Sequence, residues 1–273
     1  MRSIAANRCR AGNARRCSRG GQCPPYLIVP RFFCAEPIAQ NATFALDARI
    51  AQHVRVLRLR EGEAITLFDG TGGEVQATLT HIGKRDVLAT AAAHVTIERE
   101  MQRSVTLYPS LIANDRFDWL VQKATELGVL KIQPIFTERS QRIPGDAEKR
   151  AEHWRGVAIA ACEQCGRNQI PKIHSPITLS DALAALGDQS LILLDADGSA
   201  DISPSAISVS SAVLIGPEGG FSPSELDALR KRCDHRLRLG PTVLRAETAA
   251  IASLVWLGSL QWTHIRASPN ANF

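Results

Sequence analysis

Short apolar runs separated by turn residues fill positions 31–100. Ala64-Ile65-Thr66-Leu67-Phe68, Val75-Gln76-Ala77-Thr78-Leu79 and Asp86-Val87-Leu88-Ala89-Thr90 have the length and β-rich composition of strands, and a further run lies around Val95-Thr96-Ile97. Asp69-Gly70-Thr71-Gly72-Gly73 and Ile82-Gly83-Lys84-Arg85 punctuate them as turns. Strands this short and closely spaced predict a small barrel, with one helix over about 47–56 before it.

From Ser104 the period lengthens. Residues 105–112 read as a strand, and Asn114 or Asp115 caps a helix on which Phe117, Leu120, Val121, Ala124 and Leu127 keep helical spacing until Gly128 stops it. A strand over 130–136 follows, then helices near 147–165 and 179–186 and a strand at 190–194. The last third alternates strand 212–216, helix 223–232, strand 236–239 and helix 243–260. Alternation of this kind predicts an α/β domain with a mostly parallel sheet, its boundary near residues 100–104.

The 45% apolar and 22% charged composition is that of a soluble globular chain, and no apolar run reaches the roughly 18–20 residues of a membrane span. The net charge of +5 invites a nucleic-acid reading, but six arginines and no acidic residue lie in residues 1–28. Outside that stretch, 26 basic residues face 27 acidic ones, so any RNA-binding surface is a local patch. Arg49, Arg55, Arg58 and Arg60 are the densest basic cluster there, readable equally as an RNA surface or as solvated charge. Residues 1–28 are too polar and glycine-rich to build a core. An export signal, an organellar transit peptide and a misplaced start are weighed, and the last is favoured, with the native chain beginning near Val29. The seven cysteines are odd in number and scattered, which argues for reduced thiols in a cytoplasmic setting. Cys162-x-x-Cys165 has no second pair and the histidines no ligand spacing, so no metal is expected.

The strongest local signal is Val213-Leu214-Ile215-Gly216-Pro217-Glu218-Gly219-Gly220-Phe221, an apolar strand entering a glycine turn. Ser222-Pro223-Ser224-Glu225 then forms a capping box, with proline at the first helical position. Such strand-to-helix edges are where open α/β sheets bind ligands, although alone the turn is equally readable as structural. It is neither a Walker loop nor a dinucleotide fingerprint. A second strand, glycine turn and helix start lie in Leu237-Arg238-Leu239-Gly240-Pro241-Thr242-Val243-Leu244-Arg245-Ala246-Glu247-Thr248-Ala249-Ala250.

Together these two motifs resemble the RsmE family of 16S ribosomal RNA uridine methyltransferases, within the SPOUT superfamily. Pro30-Arg31-Phe32-Phe33, Lys123-Ala124-Thr125-Glu126-Leu127-Gly128-Val129, Glu138-Arg139-Ser140 and Glu163-Gln164-Cys165-Gly166-Arg167 agree in order, so the resemblance covers residues 30 to about 262. It implies an α/β fold: a PUA-like, RNA-binding β-barrel over 29–101, then a SPOUT trefoil-knot methyltransferase domain over 104–265. It further implies a cytoplasmic homodimer, S-adenosylmethionine as donor, and N3 of one uridine in the 16S RNA of the small ribosomal subunit as acceptor. By position, Leu194, Gly216, Glu218, Gly219, Gly220, Leu239, Gly240, Val243, Leu244 and Ala249 would hold the donor. Arg245 and Glu218 would act in catalysis, although Arg245 has a structural alternative as the partner of a carboxylate such as Glu247. Arg31, Arg55, Arg58, Arg139 and Arg167 would meet RNA, with Glu163, Gln164 and Asn168 as weaker candidates for that face. The proton acceptor stays open. Another SPOUT substrate, a tRNA or a ribose hydroxyl, and a catalytically silent RNA binder are the competing readings.

Overall fold

The computed structural model describes residues 29–141 and 146–265, so the expectation about residues 1–28 lies outside the described residues. Five strands form the first sheet: β1 (Arg31–Phe33), β2 (Thr43–Ala45), β3 (Ala64–Phe68), β4 (Glu74–Ile82) and β5 (Val87–Val95). Their order is β1-β3-β4-β5-β2, with β1 parallel to β3 and the other pairs antiparallel. Alternation along β4 follows the pattern read from residues 75–79, and β5 absorbs the run around Val95. Among the described residues no ladder joins β1 to β2, so this small sheet is open at its edges rather than hydrogen-bonded into a barrel. Helix α1 (Ala48–Val56) packs on it. The Asp47 side chain caps α1 by accepting from the Ile50 amide at 2.8 Å, and Ile50, Ala51 and Val54 join Phe32, Ile65, Leu67, Val75, Leu79 and Val87 in one core.

The remaining chain runs β6 (Ser104–Pro109), α2 (Asn114–Glu126), β7 (Lys131–Ile132), β8 (Ile135–Phe136), α3 (Ala147–Cys165), β9 (Lys172–Ile173), β10 (Ile177–Thr178), α4 (Leu179–Ala184), β11 (Ser190–Ser199), β12 (Ser210–Ile215), α5 (Pro223–Arg232), β13 (His235–Leu237) and α6 (Ala246–Ile265). Six of these strands form an all-parallel sheet in the order β13-β11-β12-β6-β7-β9. The chain thus lays β12 between β11 and β6, crosses to the outer side of β11 for β13, and returns as α6 against α2, β6 and β12. Trp154 and Phe117 sit at the centre of this core, ring centroids 4.2 Å apart.

The structure departs locally from the expected elements in two places. The strand expected over 130–136 is split, because Pro134 has no amide to donate to the ladder. Residues 131–132 stay in the main sheet while β8 pairs instead with β10. Helix α2 starts one position before the expected cap: Ala113 is its N-cap and has no side-chain acceptor, while Asn114, already helical, accepts at Oδ1 from Arg150 Nη1 at 2.6 Å. Gly128 ends that helix at φ +89°, as the pattern required.

An ionic seam joins the two sheets. Arg31 Nη1 and Arg99 Nη1 both donate to Glu74 Oε2, at 2.7 and 3.0 Å, and Arg31 Nη2 reaches Asn168 Oδ1 at 2.6 Å. Arg167, 3% exposed, donates to the Glu100 carboxylate and to the carbonyls of Thr125 and Val129 at 2.8 and 3.2 Å. Glu163 Oε1 accepts from the Phe33 amide and from Arg49, both at 2.9 Å. Burial alone would raise the Glu74 pKa, but hydrogen bonds and charge from Arg99 and Arg31 outweigh it and hold the carboxyl below its ordinary value. A depressed carboxylate stabilises the fold fully above its unfolded pKa, and that contribution is lost as pH falls through the lower folded value. Urea midpoints measured from neutral pH down to roughly pH 3 should therefore fall with acid, and less steeply in Glu74→Gln. Equal acid slopes for the two proteins would contradict the assignment.

Candidate functional site

Strands β13, β11 and β12 are neighbours and parallel, so the segments leaving their carboxyl ends share one edge of the sheet. The first is β11 at Leu194, just past its last pairing with β12 and where the pairing with β13 shifts register between Leu194 and Ser199. The second is the turn after β12. A side chain at Gly216 would place its Cβ 3.0 Å from the Phe221 ring, and Gly220 turns the chain at φ +68° with its amide donating to Pro217 O at 2.9 Å. The capping box then starts α5: Ser222 Oγ accepts from the Glu225 amide, and Glu225 Oε2 accepts from the Ser222 amide at 2.9 Å. The third is the turn from Arg238 to Arg245, where a side chain at Gly240 would meet nothing within 4 Å.

These segments bring together the residues singled out for donor binding and catalysis. Leu194, Leu239 and Ala249 are partly buried against the main core at its rim. Leu244 is half-buried and Val243 is 88% exposed, an apolar side chain standing free beside Gly240. Arg245 precedes α6, its carbonyl accepting from the Ala249 amide at 2.8 Å, and its own side chain is exposed. Glu218 is exposed on the first glycine turn and pairs with Arg116 of α2 at 3.0 Å. Arg139 joins the site as well: its Nη1 donates to Gly219 O at 3.0 Å, while the neighbouring Glu138 amide donates to Glu225 Oε1.

Other expected RNA contacts lie elsewhere. Arg31 and Arg167 are turned into the ionic seam and present no guanidinium to a ligand, because each satisfies carboxylate and carbonyl acceptors between the sheets. Asn168 and Glu163 share that seam. Arg55 and Arg58 sit exposed at the end of α1, on the first sheet, with Arg55 donating to Gly83 O at 3.0 Å.

Two site residues escaped the sequence reading, and a third, Glu247, has a different setting from the one expected. Arg116 looked like any first-turn charge. Asp195 accepts from Arg236 Nε at 2.9 Å and ties β11 to β13. Its burial would raise its pKa, but the Asp197 amide and Arg236 hold it below the ordinary value. Glu247, weighed only as a partner for Arg245, is 8% exposed and its Oε2 is buried without a hydrogen-bond partner. Among the described residues no group of three or more His, Cys, Asp or Glu is placed to hold a metal, and no helix is long and apolar enough to cross a membrane. The buried thiols of Cys34 and Cys162 are pushed up to about 12, chiefly by desolvation, which keeps them protonated and unreactive. A separate cleft of about 340 Å³ lies between α2 and α3. Its walls are largely paired with each other, His153 with Asp118 at 2.9 Å and Arg150 with Asn114 at 2.6 Å.

Residues 99–258 match the family described as RNA methyltransferase domain, and residues 46–91 match the RNA methyltransferase PUA domain. A ribosomal RNA small subunit methyltransferase E from Neisseria gonorrhoeae, solved bound to S-adenosyl methionine, is 34% identical with a TM-score of 0.77, over 85% of this chain and 98% of that one. A Legionella pneumophila protein solved with the same cofactor gives 34% and 0.77 over 85% and 97%. The ribosomal RNA small subunit methyltransferase E of Bacillus subtilis is 28% identical over 232 residues, 80% of this chain and 91% of that protein. The fold and these matches define an RNA methyltransferase, a PUA-like unit followed by an α/β methyltransferase domain. Within that class, the chain belongs to the ribosomal RNA small subunit methyltransferase E family.

Proposed function

We propose that the protein transfers a methyl group from S-adenosylmethionine to N3 of a single uridine in 16S ribosomal RNA, as a cytoplasmic homodimer. Its RNA-binding unit is residues 29–101 and its methyltransferase unit residues 104–265. The observation that carries the reading is the pair of glycine turns on one edge of the sheet, at the carboxyl ends of β12 and β13 on either side of β11. The residues there fit the donor. Gly220 and Gly240 leave backbone open to an adenine, Leu194, Leu239 and Val243 offer apolar surface, and the orphaned Glu247 oxygen suits a cationic group. When bound, S-adenosylmethionine supplies an activated methyl group on a sulfonium.

The rest falls to this chain's own side chains. Uracil N3 lies inside a Watson–Crick pair, so the base must be unpaired or splayed out, and its N3 proton removed. Charge then develops on the uracil oxygens, and Arg245, exposed beside the second turn, is the group placed to stabilise it. Glu218 stands across the first turn, steadied by Arg116, with Arg139 tied to the same turn as an RNA contact. Digestion of methylated RNA and mass analysis of its nucleosides should give 3-methyluridine, and a ribose-methylated nucleoside would overturn the reading.

The dimer is supported by α6. Val255 is 53% exposed on it, between the partly buried Ile251 and Trp256, and Trp119 is 42% exposed on the adjoining α2. Val255→Glu should shift the protein from dimer to monomer in light scattering at micromolar concentration. An unchanged mass would remove this face from the interface.

A further inference from the structure

We propose that a second, purely electrostatic RNA contact lies on the open edge of the large sheet, where Lys131, Lys172 and Arg155 hold the phosphate backbone of the substrate away from the reacting base. This rests on the rRNA methyltransferase reading and adds a surface remote from the glycine turns: β7 and β9 are at one end of the strand order, β11 and β13 at the other.

Lys131 of β7 and Lys172 of β9 are register partners in a parallel ladder, so both side chains leave the same face of the sheet next to each other. His174 follows two residues after Lys172, its amide donating to Ile132 O at 3.1 Å, and so points to that face as well. Helix α3 packs against β9 and brings Arg155 to the group. The imidazole reports the crowding: desolvation first, then Lys131, Lys172 and Arg155, hold His174 below its ordinary pKa.

Like charges set directly opposite in a sheet destabilise it, so the arrangement has a cost that calls for a partner. The protein does not provide one. Among the described residues, Lys131, Lys172 and Arg155 enter no ion pair. Glu148, nearby on α3, accepts from Ser175 Oγ at 2.6 Å, and Glu152 is exposed one turn before Arg155 on the same helix. Edge lysines often serve only to block sheet-to-sheet pairing. That accounts for Lys172 on the terminal strand, but not for Lys131 on the strand inside it or Arg155 on a helix. The cluster lies in the part of the chain where 26 basic residues, these three included, face 27 acidic ones, so it is a local field suited to a polyanion.

The test uses the full chain with Lys131→Ala/Lys172→Ala, and Lys131→Arg/Lys172→Arg as the charge-preserving control. Binding to protein-free 16S RNA and to assembled small subunits is measured across a salt series, together with kcat, KM and donor affinity. Loss of two phosphate contacts should weaken RNA binding by roughly an order of magnitude at low salt and flatten the slope of log affinity on log salt by about 1.4–1.8. The arginine pair should restore both, while kcat and donor binding stay unchanged in every variant. An unaltered salt slope in the alanine pair, with the wild-type chain binding RNA normally, would overturn the proposal. So would a defect seen on assembled subunits but absent on naked RNA, which would assign the patch to an acidic protein. Failure of the wild-type chain to methylate or bind rRNA would instead overturn the functional reading, and this surface with it.

Discussion

Arg167→Ala should lower the unfolding free energy by about 3–5 kcal/mol, the largest single-residue loss expected away from the apolar cores. The guanidinium is buried between the sheets and satisfies Glu100 and the carbonyls of Thr125 and Val129 at once. Alanine leaves all of these acceptors without their donor, one of them charged, in a place water reaches poorly. Lysine restores the charge but not the fork, so Arg167→Lys should recover only part of the loss. Urea unfolding followed by tryptophan fluorescence measures both. A loss below about 1 kcal/mol for the alanine variant would mean that Arg167 is solvated and free, as a surface RNA contact would be.

The second large effect is chemical. Arg245→Ala should reduce kcat by roughly 10²–10³, the range found when one donor to a developing oxyanion is removed. The affinity for S-adenosylmethionine should barely move, because the donor site proposed above uses the glycine turns and apolar residues around Arg245 rather than its side chain. The guanidinium is exposed, enters no ion pair among the described residues, and sits where the second glycine turn becomes α6. Single-turnover rates with saturating donor, alongside calorimetry of donor binding, separate the two roles. Equal losses in donor affinity and in rate would make Arg245 a donor-binding residue, and an unchanged rate would remove it from the mechanism.

Local rules made much of this protein readable before its fold was known. The capping box at 222–225 and the helical spacing of Phe117, Leu120, Val121 and Ala124 both appear in the structure, because each depends on neighbours within one turn. Strands of two or three residues, such as β2, β9 and β10, carry too little pattern to be seen, and they form only because partners distant in sequence complete them. The placement of β12 between β11 and β6 is a nonlocal choice of the same kind, and no local pattern encodes it. The arginines are the sharpest lesson. Arg31, Arg139 and Arg167 look alike as charges, yet two are consumed inside a seam and one reaches the glycine turn, and what separates them is burial. Glu247 is the converse case: its sequence neighbourhood suggested an ion pair with Arg245, while packing leaves one oxygen without a partner.

The central claim is that two glycine turns on one sheet edge hold a methyl donor for a base in small-subunit RNA. Its most direct test is methyl incorporation from labelled S-adenosylmethionine into protein-free 16S RNA, assembled small subunits and bulk tRNA in parallel. Label is expected in small-subunit RNA, as free RNA or in the assembled particle, and none in tRNA. Label in tRNA alone, or none in any of the three from a protein that binds the donor, would contradict the claim.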